Sequence, residues 1–436
     1  MKSTKKVLCI ITSAILITSS LLGATSMAAN AATANKSVSA KNISSKNWMK
    51  YLKDDIKLNE LNIPGAHDAA MVHSTAVFPA STFTLTQKYH IGKQTWTDKG
   101  FFRSDKKVSE DGLLERGVRY LDIRYGFTGG ERKHSGIQYA SDRLKLVHGG
   151  FTAKCKVSDD SLGIAHYDNV NNEKLMQWLK SFLNENPSET VVLDISSDDG
   201  KENNPVTESF VYDFYKQQAE NPNPKYPEIY VGNHVPTLGE ARGKLVILTD
   251  INAKNYWDDM NKNNKSSNDF SVYKNGSNIG DWAFKNAYTV GDKSKKSFGL
   301  AAKDDNKKYA IFKDNYWEDD SMWTSDKWQW VRNGLEDAES IMSKEKHNNC
   351  NAFMLNFASS NTVSSLAGPQ FYAERLIPRI TNHIKNDTKG KFYGIIAMDF
   401  CDTDNAGKLD KTSFGSNTSS RIIFETNFSR YGITNS

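Results

Sequence analysis

The sequence predicts an α/β fold, an irregular (β/α)8 barrel of the TIM type. Three observations carry that expectation. Eight short apolar runs with strand character alternate with helical or irregular stretches. The segment 172–184 keeps Leu175, Trp178, Leu179, Phe182 and Leu183 on one helical face and leads into Val191-Val192-Leu193-Asp194-Ile195, as a crossover helix leads into a buried parallel strand. Chemistry-bearing side chains gather just beyond the ends of the apolar runs, which in a barrel meet at one mouth.

The first 31 residues read as a secretory signal peptide. Lys2, Lys5 and Lys6 precede an apolar run over 7–22, and Ser26-Met27-Ala28 and Ala29-Asn30-Ala31 offer cleavage after Ala28 or Ala31. The protein is therefore expected outside the cell. Residues 32–45 are small and polar, a disordered mature N-terminus. Residues 46–436 are expected to form a single barrel domain, with no later run long enough to span a membrane. Without the three signal lysines, 53 basic residues face 51 acidic ones. That balance argues against nucleic acid as a partner. Cys155, Cys350 and Cys401 are odd in number and widely spaced, so at most one disulfide forms and no metal-binding spacing exists.

In chain order, residues 47–52 read as a short helix that lays Trp48 on the body. Leu58, Leu61 and Ile63 mark the first strand, which Pro64-Gly65 is expected to stop, presenting His67-Asp68 on a loop. Residues 69–102 have no period but carry large apolar side chains, among them Phe78 and Phe83. Gly117 caps a helix end at 113–117, and the second strand, 118–124, sets Asp122 and Arg124 on one face. A third strand at 144–147 ends at His148-Gly149-Gly150. Asn186-Pro187 closes the helix before the fourth strand at 191–195. A helix at 207–218 precedes the fifth strand at 244–248. The polar segment 252–306 reads as a surface insertion. Strands at 309–312, 352–357 and 393–398 complete the eight, separated by helices at 328–343 and 371–385, the latter holding Pro378.

Two histidines, an arginine and carboxylates thus fall at strand ends: His67 and Asp68, Asp122 and Arg124, His148, and Asp399. Two histidines supply a general base and a general acid near neutral pH. An arginine between them stabilises charge developing on a phosphoryl oxygen. A buried carboxylate behind one histidine raises its pKa and fixes its tautomer. Cys401, beside Asp399, reads as a small core residue, and the other histidines as surface groups.

Asn47-Trp48-Met49-Lys50, Ile63-Pro64-Gly65-Ala66-His67-Asp68, Arg119-Tyr120-Leu121-Asp122-Ile123-Arg124, Leu146-Val147-His148-Gly149, Asn186-Pro187-Ser188-Glu189-Thr190-Val191 and Val235-Pro236-Thr237-Leu238-Gly239-Glu240 stand in a telling order. Together they resemble the secreted bacterial phosphatidylinositol-specific phospholipases C, over about residues 48–399. The resemblance implies that His67 removes the proton of the inositol 2-hydroxyl, which attacks phosphorus to give a cyclic phosphodiester and release diacylglycerol. It implies that His148, supported by Asp68, protonates the leaving oxygen. Arg124 would bind the non-bridging oxygen, Asp122 orient its neighbours, and Asp399 back His67.

Arg124 stands where metal-dependent eukaryotic relatives carry an acidic residue. A guanidinium repels a divalent cation and supplies positive charge itself, so no metal and no cofactor are expected. Asp314-Asn315-Tyr316 matches the Asp-x-Tyr pair that touches inositol, with Tyr316 stacking on the ring. Ser196 and Asp250 depart from the pattern, standing where basic residues help bind the ring. The headgroup is therefore less fixed than the reaction type, and glycosylated inositol lipids stay in range. Phe78 and Phe83 on one loop, and Phe371 at the end of another, are expected at the membrane interface, against the alternative of packing on the rim. The expected partner is a membrane phospholipid met by a monomer. Two other readings stand beside this one: a metal-dependent phosphodiesterase on glycerophosphodiesters or sphingolipids, which Arg124 opposes, and a silent lipid-binding barrel, which the His67–His148 pair opposes.

Overall fold

The computed structural model describes residues 43–71, 73–76, 112–126, 145–148, 151–159, 165–198, 205–232, 234–249, 251, 283–285, 288–289, 309–314, 324–347, 351–360, 369–386, 390–401 and 419–434. Its strands, in chain order, begin with β1 Ile63–Ala66, β2 His73–Ala76, β3 Tyr120–Gly126, β4 Lys145–His148 and β5 Phe151–Asp159. They continue with β6 Ala165–Asn169, β7 Val191–Ser197, β8 Glu228–Ile229, β9 Lys244–Thr249 and β10 Ala283–Lys285. The last are β11 Tyr288–Thr289, β12 Tyr309–Asp314, β13 Asn351–Ala358 and β14 Ile395–Met398. The helices are α1 Asn172–Glu185, α2 Pro205–Glu220, the short α3 Leu238–Ala241, α4 Thr324–His347, α5 Pro369–Lys385 and α6 Ser419–Tyr431.

The main sheet runs β10-β9-β7-β3-β1-β14-β13-β12-β11, with parallel pairing throughout this path. Its two ends, β10 and β11, stand only two residues apart in the chain, so the sheet curls round on itself. With β10 and β11 taken as one broken stave, the described strands supply the eight staves of a barrel.

Period-two alternation sorts each stave into two faces. Leu121, Ile123 and Tyr125 of β3, Val191, Leu193 and Ile195 of β7, and Leu245 and Ile247 of β9 pack outward among the helices. Tyr120, Val192, Val246, Leu248, Phe353, Leu355, Ile395 and Ala397 form the opposite, interior cluster. The same alternation carries each interior face toward the polar end of the barrel. Ile63 and Gly65 lead to His67, Tyr120 leads to Asp122 and Arg124, and Ile395 and Ala397 lead to Asp399.

The foot of the barrel is locked by an ion pair. Arg119 Nε donates to Glu189 Oε2 at 3.0 Å, and both side chains are fully buried. The remaining Arg119 donors reach the carbonyls of Leu114, Val118 and Lys46, each at 2.7 Å. Glu189 in turn accepts from the backbone of Met49 and Lys50. Trp48 donates to the Gly117 carbonyl at 3.0 Å and stacks on Phe424 of α6.

Three expectations are corrected, and one helix lies outside them. Pro64-Gly65 does not end the first strand but lies inside it, while Leu58–Glu60 is a single helical turn. Pro64 needs no donor there, because β3 begins opposite Gly65, and its carbonyl still accepts from Arg119 N at 2.9 Å. Gly65 is required because a Cβ would stand 2.7 Å from the Tyr120 ring.

The stretch 144–147 is not a barrel stave. It is β4, antiparallel to both β3 and β5, since only Gly149-Gly150 separates it from β5, too few residues for a parallel crossover.

The segment 252–306 is not wholly a surface insertion, because it supplies β10 and β11. Those strands are three and two residues long, too short to register as an apolar run.

Helix α6 was not anticipated. It is buried nearly all round, Asn427 and Arg421 included, so it carries no one-sided apolar stripe. Asn427 exchanges two 2.8 Å hydrogen bonds with the backbone of Asn62 and so pins α6 under β1. No helix among the described residues is long and apolar enough to cross a membrane.

Removing one partner of a buried ion pair strands the other charge. Glu189→Ala should therefore cost about 3–5 kcal/mol, read as a lowered urea midpoint at unchanged slope, while a Glu189→Leu, Arg119→Met double variant should recover most of the loss. A Glu189→Ala midpoint equal to that of the unmodified protein would refute this account of the barrel foot.

Candidate active site

The chain leaves β1 through a fixed turn. His67 N donates to the Met398 carbonyl at 3.0 Å and Ala69 N to the Asp122 carbonyl at 2.9 Å, so the loop is tied to both neighbouring staves. Asp68 takes φ 43 and Phe400, next to Asp399, takes φ 49; among the described residues these are the two non-glycine positive values. Such conformations cost about 1–3 kcal/mol each and collect where a site over-determines the backbone.

His67 lies between two partners. Its Nδ1 is 2.8 Å from Asp399 Oδ1, and its Nε2 is 2.9 Å from Arg124 Nη2. An arginine nitrogen only donates, so Nε2 carries the lone pair and Nδ1–H points at Asp399. That is the tautomer a general base needs. Phe357 meets the imidazole edge-on at 5.6 Å and walls it from the barrel interior.

Arg124 is surrounded by carboxylates. Asp122, two residues earlier on β3, takes its Nη2 at 3.0 Å and its Nε at 3.5 Å. Asp68 Oδ1 is 2.7 Å from Nε, off the line of the N–H, an ion pair without a hydrogen bond. Asp198 Oδ2 is 3.3 Å from Nη1. The second Asp68 oxygen stands 3.3 Å from His148 Nδ1 and 3.6 Å from His67 Nε2. One buried carboxylate thus sits between the two histidines.

The electrostatics follow from that packing. Burial pulls the His67 pKa down, but Asp68 and Asp399 outweigh it and hold the value above the ordinary 6.5. Burial likewise opposes the charge on Arg124, yet Asp122, Asp68 and Asp198 raise it well above its usual value. Burial pushes the Asp399 carboxyl up, with His67 pulling the other way.

His67, Asp68 and Asp122 offer ligand atoms within 4.8 Å of one another, a spacing that on distance alone could hold a metal ion. Arg124 makes close contact with all three residues, so an ion there would face a fixed cation. The donor set does not fit a divalent metal while the guanidinium stays.

The structure brings His67, Asp68, Asp122, Arg124, His148 and Asp399 into one cluster. His148 arrives by a different route from the one expected, on the antiparallel β4. Ser196 is half-buried on β7 in register with Arg124, and Asp314 ends β12. The Asp314 side chain and Tyr316, Asp250, Phe78 and Phe83 lie outside the described residues. The half-buried Phe371 ring packs against the core, with the Arg375 guanidinium 3.4 Å above it. Sequence reasoning missed Asp198, although it follows β7 directly, the same strand-end position that picked out the others.

The raised His67 value has two consequences. Its NMR titration midpoint should lie above 6.5 and fall in Asp399→Ala, which removes both the charge and the hydrogen bond. Because the folded value exceeds the unfolded one, protonated His67 favours folding. That contribution is complete below about 6.5 and fades as pH rises through the folded value. A midpoint below 6.5 in the unmodified protein would contradict the carboxylate account.

No family model matches the chain. It is 25% identical over 211 residues to a 1-phosphatidylinositol phosphodiesterase of Listeria monocytogenes, covering 48% of this chain and 49% of that protein. It is 28% identical over 206 residues to the enzyme of the same name from Staphylococcus aureus, covering 46% and 50%. The chain thus matches about half the length of these curated relatives. Among solved structures, a point mutant of the phosphatidylinositol-specific phospholipase C from Staphylococcus aureus superposes with TM-score 0.55 at 20% identity, over 89% of this chain and 98% of that one. A second mutant of that enzyme gives 0.55 at 19% identity, over 89% and 99%. In sequence over about half its length, and in fold over most of it, the chain is similar to the bacterial phosphatidylinositol-specific phospholipases C.

Proposed function

We propose that the protein is an exported phospholipase C that cleaves phosphatidylinositol to diacylglycerol and inositol 1,2-cyclic phosphate. The observation that carries the reading is His67 held between Asp399 at 2.8 Å and Arg124 at 2.9 Å, with His148 across Asp68. A base, a charge clamp for phosphate and a second histidine suit in-line transfer at phosphorus better than any single-histidine chemistry.

In that reaction His67 Nε2 takes the proton of the inositol 2-hydroxyl as its oxygen bonds to phosphorus. Arg124 gains strength as charge builds on the non-bridging oxygens. The bond from phosphorus to the glycerol oxygen breaks, and His148 gives that oxygen its proton. Asp399 holds the imidazole in place and stabilises its cationic form. Asp68 does the same for His148, and Asp122 holds Arg124 through its contacts to Nε and Nη2. The turnover leaves His67 protonated and His148 neutral, so a proton must return before the next cycle.

Arg124 supplies the positive charge that a metal would otherwise bring, so the reaction runs without one. Asp314 and Tyr316, with Ser196 and Asp250 replacing basic groups, would meet the inositol ring. Phe78 and Phe83 would meet the lipid interface, where the protein acts as a monomer on phosphatidylinositol or on glycosylated inositol anchors.

Purified protein incubated with phosphatidylinositol vesicles and a chelator should release water-soluble cyclic inositol phosphate. His67→Ala and His148→Ala should each lose about 10²–10⁴-fold in rate. Release only on adding a divalent metal would favour the metal-dependent phosphodiesterase, and no release under any condition would favour the silent lipid-binding barrel.

A further inference from the structure

We propose that Asp198 is a positioning residue of this site: its carboxylate fixes the outer nitrogen of Arg124 and leaves one N–H for the phosphoryl oxygen. The inference rests on the phosphoryl-transfer reading above, and its test includes a readout that needs no substrate.

A guanidinium has five N–H groups in one rigid plane. Those of Arg124 can be assigned in turn. Nε–H and one Nη2 hydrogen form a fork on Asp122. The other Nη2 hydrogen goes to His67 Nε2. One Nη1 hydrogen goes to Asp198 Oδ2 at 3.3 Å. Among the described residues the second Nη1 hydrogen has no acceptor. It is the donor left for an incoming anion, and it hangs from the nitrogen that Asp198 holds.

Asp198 is placed to hold it. Its backbone N–H donates to the Tyr125 carbonyl at 2.9 Å, which continues the β3–β7 ladder one residue past the strand. The carboxylate is therefore carried by fixed backbone rather than by a free loop. It also differs from its neighbours in exposure, at 26% against 0% for Asp68 and 4% for Asp122. A half-exposed ion pair of this kind stabilises a fold little. Its effect lies in direction: without it, Nη1 and the free N–H can pivot about the fork on Asp122. A misplacement of about 1 Å in such a clamp can cost roughly 10²-fold in rate.

Asp198 also sets a negative charge beside the anion-binding nitrogen, so acceptor and charge act in opposite senses. Asp198→Asn keeps an acceptor oxygen and drops the charge, whereas Asp198→Ala drops both. On phosphatidylinositol vesicles, Asp198→Ala should lower kcat about tenfold or more without raising KM. Asp198→Asn should keep most of kcat with an equal or lower KM. In the substrate-free protein, the guanidinium ¹⁵N–¹H signals of Arg124 should be separate in the unmodified chain and in Asp198→Asn, and averaged by rotation in Asp198→Ala. Unchanged Arg124 signals in Asp198→Ala, or a kcat within twofold of the unmodified protein, would overturn the proposal. If the unmodified protein cleaves no phosphatidylinositol, the functional reading fails, while the Arg124 signals still decide whether Asp198 holds the guanidinium.

Discussion

β3 has a guanidinium at each end, Arg119 fully buried and Arg124 half-buried, and neither can shed its proton in the accessible pH range. Arg119 at its foot and Arg124 near its top each have to be neutralised where they stand. The chain solves the two cases differently. Below, Arg119 is matched by one carboxylate and several carbonyls, all fully paired and closed to water. Above, Arg124 is matched by three carboxylates and a histidine, with one N–H kept open. The lower cluster ties the N-terminal segment, β3 and the turn before β7 into one unit. The upper cluster fixes the loop after β1, the end of β7 and the ring of His67. Between them, Tyr120 fills the interior and bonds Asp194 across to β7.

The upper cluster has more acid than base. Asp68, Asp122, Asp198 and Asp399 surround one arginine and two histidines. Such a surplus raises the affinity of His67 for a proton while keeping Arg124 charged, which suits a base that must accept a proton beside a cation. The same surplus opposes an arriving anion. Under the proposed function, a phosphodiester would therefore be drawn in by the preformed donor on Arg124 more than by net charge.

Much of this was legible in the chain. The alternation along β3 put Asp122 and Arg124 on one face, and the strand-end rule found His67, Asp68, His148 and Asp399. The misreadings have physical causes. Pro64 in β1 escaped because a proline is tolerated where the neighbouring strand has not yet begun. The β4 hairpin passed for a stave because four apolar-flanked residues look alike in either direction. Helix α6 stayed hidden because full burial erases the periodicity that reveals a helix. Asp198 carries no motif of its own in the sequence, since the resemblance marks Ser196, two residues earlier, as the strand-end position.

The antiparallel course of β4 has a consequence for how the site ages and fails. His67 stands on a stave in the middle of the sheet, paired on both sides. Among the described residues, His148 stands on the antiparallel β4, which pairs with the last residues of β3 and with β5. His148 thus belongs to a smaller paired unit than His67, and such a unit opens at a lower free energy than the whole domain. Under the proposed function, partial opening would remove His148 as proton donor while His67 and Arg124 stayed in place. Hydrogen exchange on β4 faster than on β1 would mark that boundary. Under the proposed function, activity would then be lost on heating before the barrel melts.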